Sequence, residues 1–316
     1  MPDYVFCTLN DSVAAELGKY WGSLSLEGLT SLSDSAAAEL GKNQAVLWLR
    51  GLTTLSGGAA AGLGNHKGEL YLGCLSSLSD EAAAGLGKHQ GKLDIYGLTT
   101  LSEGAAAGLA NYQGTLSLDG LTTLSDGAAA GLGKHQGQGR LELHGLQTLT
   151  DGAAAGLGNY KGELCLTGLC SLSDAATAGL AKHQGSLNLS RLTSLSDGAA
   201  FELSKHQGVL DIRNVTSLSK YAAIQLAKLD SIWVNDEVRP LVENGRLIQR
   251  ARTALCVELA KPENQDIKDD ASYLNALRRE IAQQFGVPEE DLIEPPRPLT
   301  SQEIAEKLRK DKQSKM

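Results

Sequence analysis

Five of the six histidines recur at one position of a repeated sequence unit, a regularity that could in principle create metal ligands. They are His66, His89, His135, His183 and His206. Other copies of the unit carry tyrosine or asparagine at this position, at Tyr20, Asn43, Tyr112 and Tyr160. Tyrosine is not among the usual zinc ligands. We therefore expect a stacked polar ladder that caps helix ends, and we predict neither a metal nor another cofactor.

Motifs for covalent or phosphate chemistry do not stand out either. Serines are abundant, yet no Gly-x-Ser-x-Gly turn and no phosphate-binding glycine loop is present. Carboxylates predicted on the strands would face solvent and would lack the burial that tunes a catalytic acid. The sequence therefore indicates a protein that is not an enzyme.

These side chains are carried by ten copies of one 23-residue unit, which fill residues 5–236. One step is longer by two residues, because Gln138 and Gly139 are inserted. The copies begin at Val5, Gly28, Gly51, Cys74, Gly97, Gly120, Gly145, Gly168, Arg191 and Asn214. A fixed period in this range is typical of a solenoid, in which each unit contacts only its neighbours.

Each copy predicts one short helix and one strand, as the sixth copy illustrates. Ser125 followed by Asp126 indicates a helix start, because a hydroxyl caps free N–H groups and a carboxylate favours that end of the dipole. Gly133 and Gly137 predict the end of the helix. Residues 140–144 alternate between polar and apolar, which predicts a strand with one buried face. A helix this short needs stacking for stability.

The pattern Gly-x-Leu-x-Leu-x-Gly-Leu-Thr-x-Leu-Ser resembles a leucine-rich repeat across residues 5–236. The resemblance implies an α/β solenoid, an arc with one parallel β-sheet face and short helices on the other face. Leu121 and Leu146 stand where that family usually has asparagine. We expect residues 1–236 to form this solenoid.

Comparison of the copies shows that the outward-facing strand positions vary most. Neighbouring strands lie about 4.8 Å apart, so these side chains should form columns on one exposed sheet face. The predicted protein-binding group consists of Trp48, Arg50, Tyr71, Asp94 and Tyr96. Trp, Tyr and Arg dominate the energetics of protein interfaces. Cross-strand stacking that merely covers the sheet is the alternative.

A second candidate group of charged side chains lies beside the two-residue insertion. It consists of Arg140, Glu142, His144 and Glu163. Their position on neighbouring strands predicts that they also meet on the sheet face. We treat this group as a secondary binding candidate.

Residues 237–316 differ in composition and predict an α-helical C-terminal extension. One apolar stripe comprises Leu247, Ile248, Ala251, Leu255 and Leu259; another comprises Leu274, Leu277, Ile281 and Phe285, and ends at Gly286 and Pro288. Thr300 and Glu303 predict the cap of a last, mostly charged helix, which we expect to be flexible. Phe201 and Ile224 replace an alanine of all eight earlier copies, and we expect both to pack against this extension.

Composition narrows the class of partner. The net charge of −8 argues against nucleic acid, and no apolar stretch approaches the roughly 20 residues of a membrane span. The five cysteines are irregularly spaced, so we expect reduced and mostly buried thiols in a cytoplasmic protein.

We expect a monomer that binds an unidentified protein partner. The alternatives are an effector or enzyme whose activity resides in the extension, and a structural or self-assembling spacer.

Overall fold

The computed structural model describes residues 8–135, 137–260 and 271–293. Every copy of the repeat contributes one helix and one strand. The helices are α1 Asp11–Gly18, α2 Asp34–Leu40, α3 Gly57–Leu63, α4 Asp80–Leu86, α5 Glu103–Leu109, α6 Asp126–Gly133, α7 Asp151–Leu157, α8 Asp174–Leu180, α9 Asp197–Leu203 and α10 Lys220–Leu226. The strands are β1 Leu24–Ser25, β2 Leu47–Trp48, β3 Leu70–Tyr71, β4 Lys92–Asp94, β5 Thr115–Ser117, β6 Arg140–Glu142, β7 Glu163–Cys165, β8 Leu187–Asn188, β9 Leu210–Asp211 and β10 Ile232–Trp233.

The ten strands form one parallel sheet in sequence order, from β1 to β10. The first inward leucine of each copy pairs with that of the next, as Leu24 does with Leu47, until Leu210 pairs with Ile232. The two inward-facing residues of each inner copy are leucine or isoleucine and are buried. The helix alanines close the core from the other side. The predicted α/β solenoid is confirmed.

In seven copies the helix cap also links the copy to the one before it. The hydroxyl of Ser102 accepts a hydrogen bond from the N–H of Ala105 and donates one of 2.7 Å to the Asp80 carboxylate. The same arrangement joins Thr150 to Asp126 and Ser173 to Asp151. The hydroxyl residue is the predicted helix cap. The aspartate that follows it accepts a hydrogen bond from the capping hydroxyl of the next copy.

Glycines in the helix layer allow close approach and do not form left-handed turns. In the described residues, Gly286 is the glycine with positive φ, at 66°. Helix α6 ends at Gly133 as predicted, but a Cβ at Gly133 would collide with the carbonyl oxygen of Gly156 in the next copy. A Cβ at Gly62 would lie 2.6 Å from the backbone nitrogen of Ala38. Absence of a side chain is therefore a packing requirement here.

After β10 the chain continues into α11, Arg239–Leu259, and later into α12, Ala271–Phe285. A 3₁₀ helix, Glu289–Leu292, follows α12. Helix α11 packs on α10 and α12 packs on α11. The division of the chain at residue 236 stays a prediction, and the predicted last helix lies outside the described residues.

Two predictions for the apolar contacts of the extension are only partly right. Ile224 is buried in a second apolar cluster with Ile248 and Leu255, as expected. Phe201 is half-buried and is not part of that cluster; the Lys205 ammonium, just past the end of α9, lies 4.4 Å from its ring centroid. Leu247 is 40% exposed and does not belong to the buried stripe.

Polar contacts also fasten the extension to the last repeat. Arg252 Nε donates a hydrogen bond of 2.7 Å to the backbone oxygen of Asp291. The Asp291 carboxylate in turn forms a 2.7 Å ion pair with Lys220 of α10. The extension is thereby held to the final repeat by charge as well as by apolar packing.

The expectation for the cysteines is wrong in one respect. Cys165 is buried, but Cys74, Cys170 and Cys256 are exposed, and Cys7 lies outside the described residues.

Within the three described ranges, no helix combines the length and the apolar composition that a membrane span requires.

We expect Gly62→Ala to destabilise the protein, although alanine favours a helix by about 1 kcal/mol over glycine. The added Cβ meets the backbone of α2, and such overpacking costs about 1–3 kcal/mol, so the net change should be a loss of stability. Urea denaturation followed by circular dichroism measures this.

Gly57→Ala is the matched control for that experiment. A Cβ there would lie 3.1 Å from Cβ and from Oε2 of Glu81. The carboxylate can rotate away, and the contact with Cβ needs a shift of only a few tenths of an ångström. Stability at or above that of the wild type is expected for the control. Equal stability changes in both variants would contradict the close-approach explanation.

Candidate functional site

The register of the sheet brings the predicted protein-binding group together. Trp48 pairs with Tyr71, and Tyr71 pairs with Asp94, so all three side chains leave the same face of adjacent strands. The rings of Trp48 and Tyr71 are stacked, with centroids 6.0 Å apart and planes inclined by 19°. This confirms the predicted proximity of the two aromatic residues.

Two cations flank the Tyr71 ring. The guanidinium carbon of Arg50 lies 5.3 Å from the ring centroid, and Lys92 Nζ lies 5.7 Å from it. Both distances are within the range of cation–π attraction. Arg50 also forms an ion pair of 3.6 Å with Glu27. The cations therefore hold the aromatic stack in place and contribute charge to the surface.

The hydroxyl of Tyr71 is engaged by a residue that the sequence analysis did not include. It donates a hydrogen bond of 2.6 Å to Glu69 Oε2. This hydrogen bond, together with burial and nearby carboxylates, raises the pKa of Tyr71 to about 12. Glu69 and Lys92 precede their central strand residues by two positions, so the period of a strand could have indicated them.

Tyr96 extends the group along the sheet edge. A Cβ at Gly73 would collide with the Tyr96 ring, which shows that the ring covers the backbone of the preceding copy. Tyr96 remains 44% exposed, and its backbone N–H donates to Asp94 Oδ1. Burial raises the pKa of the Asp94 carboxyl, and the nearby Asp119 carboxylate raises it further.

The sequence predicts that the central outward-facing residue of every strand is exposed, but several of these residues are buried. Ser117, Cys165 and Asp211 are buried, although each occupies the central outward position of its strand. Burial is the largest cause that raises the pKa of the Cys165 thiol, to about 12. Asp211 is covered by Arg213, whose guanidinium donates to both carboxylate oxygens. Small or paired side chains are thus enclosed by larger neighbours.

The second predicted group also comes together. Arg140 lies 3.0 Å from Glu142 and 3.5 Å from Glu163, measured from guanidinium nitrogen to carboxylate oxygen. His144 Nδ1 lies 2.6 Å from the hydroxyl oxygen of Thr167 on the next copy. Arg140 thus pairs with two carboxylates, those of Glu142 and Glu163, whereas the partner of His144 is a neutral hydroxyl.

A third group at the C-terminal end of the sheet was missed by sequence reasoning. Trp233 pairs with Asp211 in the register of β9 and β10, and the Arg213 guanidinium carbon lies 5.4 Å from the Trp233 ring centroid. A terminal repeat is expected to cover the core of its neighbour. Trp233 does not do so, because it is 53% exposed. Ile232 follows Leu210 by 22 residues instead of 23, and this shortened step was the available signal.

Trp21 is a further exposed aromatic residue that the sequence analysis did not include. It is 89% exposed and immediately follows the ladder residue Tyr20. The corresponding position in the neighbouring copies is Gln44 and Lys67, both polar. The contrast between tryptophan and these polar residues was the signal that could have found it.

Ten strand–helix units, stacked in sequence order on one parallel sheet with leucines in register, define the architecture. The chain has the leucine-rich-repeat fold. No family model and no curated protein matches the sequence.

Solved structures similar to this leucine-rich-repeat chain come from several organisms. An internalin of Listeria monocytogenes is 17% identical, with 68% of this chain and 72% of that chain covered and a TM-score of 0.34. A leucine-rich-repeat protein of Leptospira interrogans is 20% identical, with 72% and 69% covered and a TM-score of 0.30. A chain of the Toll–Spatzle complex of Drosophila is 16% identical, with 66% and 36% covered and a TM-score of 0.33. The repeat protein described here thus spans 36% of that last chain.

The repeated histidines form the predicted ladder inside the solenoid. Rings of neighbouring copies stack, as His66 does on His89 at 5.6 Å and His183 on His206 at 5.9 Å. His89 Nδ1 lies 2.6 Å from the backbone oxygen of His66, which is the ladder residue of the preceding copy. All five imidazoles are buried. His66, His89 and His183 thus link their helix ends to the backbone of the preceding copy, and all five rings contribute to the stack.

Burial gives this ladder a pH dependence. Desolvation is the largest cause that lowers the pKa of all five imidazoles below the ordinary value. An unfolded chain therefore binds more protons than the folded one once the pH falls below about 6.5. The stabilisation by neutral imidazoles is complete above that pH and is lost as the pH falls towards the folded-state pKa.

We expect His89→Tyr to flatten the decline in stability on acidification. Tyrosine suits this position, because Tyr112 at the same place in the next copy donates to the backbone oxygen of Thr115. The melting temperature of both proteins, recorded by circular dichroism from neutral pH to below about pH 6, measures the slope. Identical slopes for wild type and variant would show that His89 does not contribute.

Proposed function

We propose that this chain is a non-enzymatic recognition scaffold that binds a protein partner through its exposed sheet face. The observation that carries the proposal is the stacked pair of Trp48 and Tyr71, flanked by Arg50 and Lys92. Tyr96 extends this group, and Asp94 completes it. Aromatic and arginine side chains of this kind supply most of the binding energy at protein interfaces.

The arrangement of the group supports binding with little loss of conformational entropy. Its side chains project from hydrogen-bonded strands, and the Tyr71 hydroxyl is fixed by Glu69. Surfaces that are ordered before they bind lose less freedom on association. A preformed face therefore favours a folded partner that presents a complementary surface.

The charges around the aromatic pair indicate what such a partner presents. Arg50 and Lys92 contribute positive charge, whereas Glu27, Glu69 and Asp94 contribute negative charge. Mixed charge at close range favours a protein surface with both signs over a polyanion such as nucleic acid. The partner's contact would combine an apolar centre with polar groups at its rim.

Trp48→Ala combined with Tyr71→Ala is expected to abolish partner capture. Each truncation at an interface hot spot costs about 2 kcal/mol or more, which corresponds to roughly a 30-fold loss of affinity. Proteins retained by the immobilised wild type are identified by mass spectrometry. Their affinity for purified wild type and double variant is then measured by calorimetry.

Trp233→Ala is the matched control, because this tryptophan lies on the same face at the far end of the sheet. The control should retain the partner, and circular dichroism should show that all variants are folded. Equal affinity of the wild type and the double variant would refute the assignment of the site. Light scattering on the purified chain tests self-assembly, since an open oligomer would favour the spacer function instead.

A further inference from the structure

We propose that Asp119, Glu142 and His144 form a binding site for a divalent transition-metal ion such as Zn²⁺ on the sheet face. This site is separate from the aromatic group, and the inference does not depend on the proposed function. Each of the three residues offers one ligand atom, and these atoms all lie within 4.8 Å of one another. Two carboxylates and one imidazole are a ligand set that suits Zn²⁺.

The strands place these ligands side by side. Glu142 belongs to β6, and His144 follows it by two residues, so both side chains leave the same face. Asp119 follows β5 and is held beside them, because its Oδ1 accepts a hydrogen bond of 3.1 Å from the backbone N–H of His144. The inserted residues Gln138 and Gly139 directly precede β6, the strand on which two ligands depend.

The imidazole is oriented by a residue of the following copy. His144 Nδ1 lies 2.6 Å from Thr167 Oγ1. A metal-bound histidine usually donates its other ring N–H to an acceptor, which fixes the tautomer and the ring orientation. If Nδ1–H donates to Thr167 Oγ1, the lone pair of Nε2 is available to a metal ion.

The charge balance also favours a cation. The Asp119 carboxylate accepts hydrogen bonds from two neutral donors, the Ser117 hydroxyl and the His144 backbone N–H. Glu142 has one cationic partner, Arg140, and this arginine is shared with Glu163. Negative charge therefore exceeds positive charge among these residues, and a divalent ion would compensate for it.

Only a modest movement is needed to close the site around an ion. Zinc ligands at 2.0–2.1 Å in tetrahedral geometry lie roughly 3.3 Å apart. All three side chains are half-buried, so they have room to converge from the present separation. Three protein ligands would leave the fourth position of a tetrahedral ion open to water.

Calorimetric titration of the full chain with ZnCl₂ tests the site. We expect one ion per chain for the wild type, and loss of that ion in His144→Ala and in Asp119→Asn. Thr167→Val should fold normally and weaken binding by about 10–100-fold, because it removes only the acceptor that orients the ring.

Glu27→Gln is the matched control, since it removes a carboxylate at the same repeat position as Asp119 but four copies away from the site, and its affinity should match that of the wild type. The exposed thiols of Cys74, Cys170 and Cys256 are common to all variants, so differences report on the site alone. A wild type that binds no Zn²⁺, or a folded His144→Ala variant with unchanged affinity, would overturn the proposal.

Discussion

Each strand of the sheet is two or three residues long, and its hydrogen bonds to the next strand set the spacing of the whole molecule. Leu47 donates to the Glu69 backbone oxygen at 2.8 Å and Leu49 donates to that of Tyr71 at 2.9 Å. The helix layer must advance by the same step as the sheet. Glycines such as Gly62 make this possible, because any side chain there would press against the backbone of the preceding helix. The register of the strands therefore also requires the close approach of neighbouring helices.

The short helices depend on the same repetition. A seven-residue helix is far below the length at which an isolated helix is stable. Here each repeat helix is capped by a polar side chain, in most copies a serine, and most of these hydroxyls donate to a carboxylate of the preceding copy, as Ser102 does to Asp80. The histidine ladder adds a second link at the opposite helix end, where His89 reaches the backbone of His66. Stability is thus distributed between neighbouring copies.

The candidate surface follows from this regular spacing. Because the leucines fix the inward positions, the residues between them are free to vary, and their columns present different chemistry along the sheet. Trp48 and Tyr71 lie near the N-terminal end, whereas Trp233 and Arg213 lie at the C-terminal end. Between them are the acidic and imidazole side chains of Asp119, Glu142 and His144. One rigid face can therefore offer separate sites without any change in the fold.

Much of this arrangement could be predicted from the sequence, because a fixed period, the alternation of a strand and a Ser-Asp helix start are local patterns. They predict the ten-unit solenoid, the stacked histidines and the proximity of Trp48 to Tyr71. Other features depend on contacts between copies that no local pattern encodes. The burial of Ser117 and Cys165 reflects the size of the side chains beside them.

The positions of Trp233 and His144 show why the tertiary structure was needed. A step of 22 residues places Trp233 on the sheet face. The step can be counted in the sequence, but the pairing of β10 with β9 is what identifies Ile232 as the counterpart of Leu210. His144 is held beside Asp119 because its backbone N–H donates to the Asp119 carboxylate of the preceding copy. The sequence by itself determined the repeating units and the face on which most of their variable residues lie. The three-dimensional packing alone decided which side chains are enclosed and which converge, because both outcomes depend on the shapes of neighbouring residues in adjacent copies.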